Sequence, residues 1–185
     1  DFLNAIGDIT PAFGNDIDEI FQNISGEIID YGDNWKYLDN LIKKYINKFC
    51  GNNSLSTFRL LLHGDTGCGK TTVSKFISKL INYPYVKVIH PSLFVGFSEI
   101  MKINNIKKIF MDAYQSNNSI IIIDDLERLI DFSDYGNRYS NNVLQTLLVL
   151  INQNTKKNNK LFIIGTCKNI DIMKKLELLE RNIFI

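Results

Sequence analysis

The segment that most constrains this 185-residue chain is Gly64-Asp65-Thr66-Gly67-Cys68-Gly69-Lys70-Thr71, which follows the apolar run Phe58 to His63 and opens a helical pattern from Lys70 to about Ile81. A GxxxxGK[ST] turn between a strand and a helix is built to hold phosphate. Its glycines let the backbone curl until N–H groups point inward, and the helix N-terminus adds positive potential. In such a loop Lys70 reaches the β and γ phosphates of ATP and Thr71 ligates Mg²⁺. Asp65 and Thr66 within the loop, and Thr72 just after it, complete the expected nucleotide-binding set.

About fifty residues later Ile120 to Ile123 is a continuous β-branched run, as expected of a central parallel strand buried on both faces. It ends in Asp124-Asp125, and carboxylates at the C-terminal end of such a strand lie where α/β sheets bind ligands. The pair therefore reads as a Walker B to the Walker A of residues 64–71. Asp124 is expected to hold Mg²⁺ through water, and Asp125 to polarise the attacking water.

The rest of the chain supplies a scaffold for such a site. Two amphipathic helices are expected first, with Ile17, Ile20, Phe21, Ile24 and Ile28 on one face of the first and Trp35, Leu38, Ile42, Tyr45 and Phe49 on one face of the second. After residue 56 strands and helices alternate. Strands are predicted at Phe58–His63, Tyr85–Ile89, Ile120–Ile123 and Leu161–Gly165, with one more starting near Asn182–Ile185. Helices are predicted over Ser98 to about Tyr114, through Leu144, Leu147, Leu148 and Ile151, and near Ile170–Leu179. The expected fold is a three-layer αβα P-loop domain around a mainly parallel five-stranded sheet, with an N-terminal helical segment (1–56) and the nucleotide-binding core at 57–185.

Composition narrows the alternatives. Twenty-one Lys and Arg against 20 Asp and Glu leave a net charge of +1, with the lysines scattered, so no basic stripe points to nucleic acid. The apolar runs fall well short of the roughly 18 residues that cross a bilayer. Three widely spaced cysteines, Cys50, Cys68 and Cys167, fit neither a disulfide framework nor a zinc site and point to a reducing compartment. Opening on Asp1, the chain reads as a piece of something longer.

The two phosphate-site motifs and the later strand ending in a polar turn resemble the AAA family of P-loop ATPases. Residues 8–14, 28–33, 96–99, 124–129, 138–141, 143–145 and 163–166 are similar to the second AAA domain of the N-ethylmaleimide-sensitive fusion (vesicle-fusing ATPase) family. That resemblance implies a homohexamer in which a first AAA domain and an N-terminal domain of the same protein, an adaptor protein and a SNARE complex are the partners. It implies a cytoplasmic protein peripheral to vesicle and organelle membranes, whose second domain binds ATP and holds the hexamer together. It also implies that Ile28, Ile29, Tyr31 and Gly32 lie against adenine, and that Phe94-Val95-Gly96 stands where threading relatives carry an aromatic pore loop. The helical lid of the family, with its second sensor residue, is expected beyond Ile185.

Three departures from the family pattern bear on turnover. Asp125 stands where active domains have Glu, sensor 1 falls at Lys168, and the arginine-finger positions fall near Glu180 and Ile183, with Arg181 out of register. Arg138, Lys156, Lys157 and Arg181 are the remaining candidates for a cation acting across protomers. The expected outcome is an ATP-binding, hexamer-stabilising domain with slow hydrolysis. The alternative is a fully active motor in which Asp125 is the base and Phe94 grips substrate.

Overall fold

The computed structural model describes residues 32–51, 56–133, 135–136, 138–155, 159–178 and 183–184. The expected helix through Ile17 and Ile28 lies outside them. The sheet has the order β2-β3-β4-β1-β5, with β1 Thr57–His63, β2 Tyr85–Ile89, β3 Asn118–Ile123, β4 Lys160–Cys167 and β5 Ile183–Phe184, and every pairing is parallel. Four strands are full length, and β5 is a two-residue edge on Leu60 and Leu61.

Strand alternation explains the three layers. Leu60, Leu62, Val86, Val88, Ile120, Ile122, Phe162 and Ile164 face one side. There they meet Ile42, Ile46 and Phe49 of α1 (Asp33–Gly51) and Ile77 of α2 (Lys70–Ile81). Phe49, Phe58 and Phe162 form a ring cluster with centroids 4.8–5.6 Å apart. Leu61, Ile121, Ile123, Leu161 and Ile163 face the other side, against Ile106, Phe110 and Ala113 of α3 (Glu99–Gln115) and Leu144, Leu147 and Ile151 of α5 (Asn141–Asn152). Because Ile120 to Ile123 are buried on both faces, truncating any one of them to Ala should cost about 2–5 kcal/mol.

Hydroxyl caps start two of these helices. Ser98 accepts from the amide of Met101 to open α3, and Ser140 accepts from that of Val143 to open α5. Glu99 then joins the two helix starts by accepting from the Ser140 hydroxyl and the Asn142 amide.

Four local features differ from the sequence reading. β4 runs on through Thr166 and Cys167, because their backbone continues to pair with Leu62 and His63 of β1. A four-residue helix, α4 (Leu126–Leu129), follows the acidic pair, and a 3-10 turn spans Pro91–Phe94. The last helix, α6 (Ile170–Lys175), stops short of Leu179. The chain leaves β1 for β2 at the far edge and returns through β3 and β4, so the sheet reverses order beside β1. The crevice at the C-terminal ends of β1 and β3 is the place such sheets use for ligands.

Candidate functional site

The crevice holds a cleft of about 320 Å³. Its walls are Thr66, Gly67, Gly69, Lys70, Thr71 and Thr72 from the loop and α2, Asp124 and Asp125 after β3, Thr166, Cys167 and Lys168 from the end of β4, and His90 after β2. Phosphate-loop and acidic residues 53 positions apart in sequence thus share one cavity.

The loop is shaped for an anion. Gly67 and Gly69 take φ of 86° and 91°, a left-handed backbone that favours glycine, and Gly69 is the N-cap of α2 with no side-chain cap. The first-turn N–H groups of a helix have no intrahelical acceptor, so this uncapped end presents donors to the cleft. Lys70 Nζ donates to the carbonyls of Gly64 and Asp65, each at 2.7 Å, which holds its ammonium across the loop. Cys68 is exposed, with Sγ 3.9 Å from the same Nζ.

Opposite, Thr71 Oγ1 donates to the Asp124 carboxylate at 2.9 and 3.1 Å. Asp124 is 6% exposed and fixed from two further directions. Its N–H donates to Ile89 O at 2.9 Å, and the Thr166 hydroxyl donates to its Oδ1 at 2.5 Å. A hydroxyl and a carboxylate converging at the mouth of a phosphate loop form a hard-oxygen donor set, which fits Mg²⁺ and does not suit a softer metal.

Asp125 is held differently. Its backbone is left-handed, with φ 56° and ψ 62°, its N–H donates to Thr166 Oγ1 at 2.9 Å, and its Oδ2 lies 3.2 Å from Arg128 Nε. Thr166, only 1% exposed, therefore touches both acidic residues. Glu127 ties α4 to the end of β4, its Oε1 accepting from the amides of Lys168 at 2.7 Å and Asn169 at 2.9 Å. Burial, assisted by the Glu127 carboxylate and opposed by Lys70, pushes the Cys167 thiol up to about 12.

The structure therefore gathers Thr66, Gly67, Gly69, Lys70, Thr71, Thr72, Asp124 and Asp125 at one cleft, with Gly64, Asp65 and Cys68 at the base of the same loop. Gly32 opens α1 with φ 87°, whereas Ile28, Ile29 and Tyr31 lie outside the described residues, as do Lys156, Lys157, Glu180 and Arg181. Arg138 is exposed on a hairpin where its carbonyl accepts from Ser133 N. Lys168, where sensor 1 is expected, lines the cleft, but the hydroxyl that contacts the acidic pair is that of Thr166. Phe94 is 8% exposed and meets the partly exposed Phe97 edge-on, with ring centroids 6.2 Å apart. Sequence reasoning gave Thr166 no role and missed His90. A threonine ending a strand reads as an ordinary β-former, and an isolated histidine carries no motif.

An αβα sheet with a phosphate loop after β1 and a carboxylate pair after β3 defines a P-loop nucleoside triphosphatase. The chain belongs to the AAA family: residues 60–184 match the ATPase family associated with various cellular activities. It is an ATPase domain similar to part of the vesicle-fusing ATPases. Over 97% of its length it is 33% identical to the vesicle-fusing ATPase of Dictyostelium discoideum and 32% identical to the vesicular-fusion protein SEC18 of Saccharomyces cerevisiae. Over 94% it is 38% identical to the vesicle-fusing ATPase of Caenorhabditis elegans. It spans 24%, 24% and 21% of those three proteins, about the share of a single domain. No helix among the described residues is long and apolar enough to cross a membrane.

Proposed function

We propose that the chain is an ATP-binding, hexamer-stabilising AAA domain of a vesicle-fusing ATPase, with slow hydrolysis of its own while the whole protein takes SNARE complexes apart. The observation that carries this reading is the contrast between the two acidic residues. Asp124 is buried, triply held and aligned with Thr71, whereas Asp125, also in the cleft wall, is one methylene shorter than the usual Glu and paired with the largely exposed Arg128.

Binding follows from the loop. Lys70 and the first-turn amides of α2 would take the β and γ phosphates, exchanging the two loop carbonyls for charge-assisted bonds. Thr71 and Asp124 would hold Mg²⁺, which when bound neutralises phosphate charge. Thr166 keeps the Asp124 carboxylate oriented and the Asp125 backbone fixed. Turnover also needs a base aimed at the attacking water, and a misplacement of about 1 Å costs about a hundredfold in rate. The Arg128 pair and the shorter side chain both draw the Asp125 carboxylate back.

Assembly supports the same role. A nucleotide bound between protomers links ligand affinity to oligomerisation, and Arg138, exposed on its hairpin, is one candidate cation for the neighbour's γ-phosphate. The motor alternative is disfavoured by the burial of Phe94. Single-turnover hydrolysis by an assembled hexamer whose first AAA domain is disabled tests the proposal. ATP should be retained with little conversion to ADP; rapid conversion would instead support the motor.

A further inference from the structure

His90 stands at the C-terminal end of β2 and lines the cleft beside Asp124, whose N–H bonds the carbonyl of the preceding residue, Ile89. Its ring is held by the turn that follows. Nδ1 accepts the backbone N–H of Ser92 at 3.2 Å and lies 2.7 Å from Ser92 Oγ. A backbone amide can only donate, so Nδ1 must offer its lone pair, and the neutral ring carries its proton on Nε2. Nε2 has no partner among the described residues. The acidic groups of the cleft are bonded elsewhere: Asp124 accepts from Thr71 and Thr166, and Asp125 pairs with Arg128.

With its proton on Nε2, the ring has no lone pair left for a metal at that nitrogen, and what it offers the cleft is a hydrogen-bond donor. The cleft's other donors include Lys70, the α2 amides and the Thr66 and Thr72 hydroxyls on the loop side, and Lys168 at the end of β4. His90 adds a donor to the same cleft from the end of β2, the strand whose Ile89 carbonyl bonds the Asp124 amide, and so from a different element than the loop. We propose that His90 Nε2–H binds the terminal phosphate of a nucleoside triphosphate and so helps the domain distinguish ATP from ADP. This rests on the nucleotide-binding reading of the cleft and adds to it a residue that none of its motifs contains.

The test is calorimetric titration of the 185-residue chain with Mg-ATP and with Mg-ADP, comparing wild type, His90→Asn and Lys70→Ala. In His90→Asn the side-chain oxygen takes the place of Nδ1 and keeps the Ser92 cap, while its amide ends short of the Nε2 position. The expected result is a loss of about tenfold or more in ATP affinity, as for a hydrogen bond to a charged acceptor, with ADP affinity within twofold of wild type. ¹⁵N spectra of the wild-type ring should show Nε2 shifting with Mg-ATP and not with Mg-ADP. Equal losses for both nucleotides, no loss for either, or the same shift with both would overturn the proposal. Lys70→Ala separates the two claims. If it binds ATP as tightly as wild type, the cleft reading itself fails; if only His90→Asn is silent, the cleft reading stands and the role of His90 falls.

Discussion

Asp125 Oδ2 and Arg128 Nε sit 3.2 Å apart across one turn of α4, so the second acidic residue of the site is paired along the helix that follows it. The Arg128 side chain is 78% exposed, so the pair adds little stability, and its consequence is where it holds the carboxylate.

Arg128→Ala should release Asp125 toward the cleft. Single-turnover hydrolysis is expected to rise several-fold, with ATP affinity unchanged within twofold and a thermal midpoint close to wild type. Asp125→Glu, which restores the missing methylene, should raise it about tenfold or more. Equal or slower hydrolysis in both variants would show that the position of Asp125 does not limit turnover.

Thr166→Val keeps shape and removes the hydroxyl that accepts from Asp125 N and donates to Asp124. Leaving a buried donor and a carboxylate short of a partner should cost about 1–3 kcal/mol, read as a lower denaturant midpoint with unchanged slope. The Mg²⁺ concentration needed for half-maximal ATP binding should rise as Asp124 loses its fixed orientation.

The scaffold was legible in the sequence because its signals are long or redundant. Ile120 to Ile123 read as a doubly buried strand, and Leu144, Leu147, Leu148 and Ile151, spaced as one helical face, are the core-facing side of α5. The loop and the acidic pair were legible because each residue type has a phosphate or metal to meet. Helix α4 was not, since four residues are too few to show a period. Thr166 and His90 were not, because their importance comes from neighbours brought to them by the sheet. A lone aromatic after a strand, such as Phe94, has the same signature whether it packs inward, as here, or points into a channel.

The three thiols should separate in reactivity. Cys68 is exposed in the phosphate loop with Lys70 Nζ 3.9 Å from its sulfur, whereas Cys50 is exposed with Tyr83 OH 3.9 Å away and Cys167 is buried. N-ethylmaleimide should modify Cys68 first and Cys50 next, and Mg-ATP should protect Cys68. Cys167, with its thiol pushed up to about 12, ionises only as pH approaches that value. It should therefore stay unmodified in the folded protein at pH 9, where an ordinary exposed thiol is largely reactive. Peptide mass spectrometry over time gives the order; early labelling of Cys167 or sparing of Cys68 would contradict it.

Gly165 lies in β4 between Leu61 and Leu126, and an added Cβ would come within 2.8 Å of Leu61 Cδ1 and 3.1 Å of Leu126 Cδ1. Gly165→Ala should destabilise the domain by about 1–3 kcal/mol and shift α4, which carries Leu126, relative to the sheet. A variant as stable as wild type by denaturant titration would show that the two leucines yield without cost.

Calorimetric titration of Mg-ATP into the wild-type chain and into Lys70→Ala bears most directly on the claim that this cleft captures nucleotide. Saturable one-site binding is expected in the wild type. In the variant, which removes the ammonium now resting on the Gly64 and Asp65 carbonyls, affinity should fall at least tenfold. Binding of equal strength in the two proteins would mean that the nucleotide does not sit in the loop between β1 and α2.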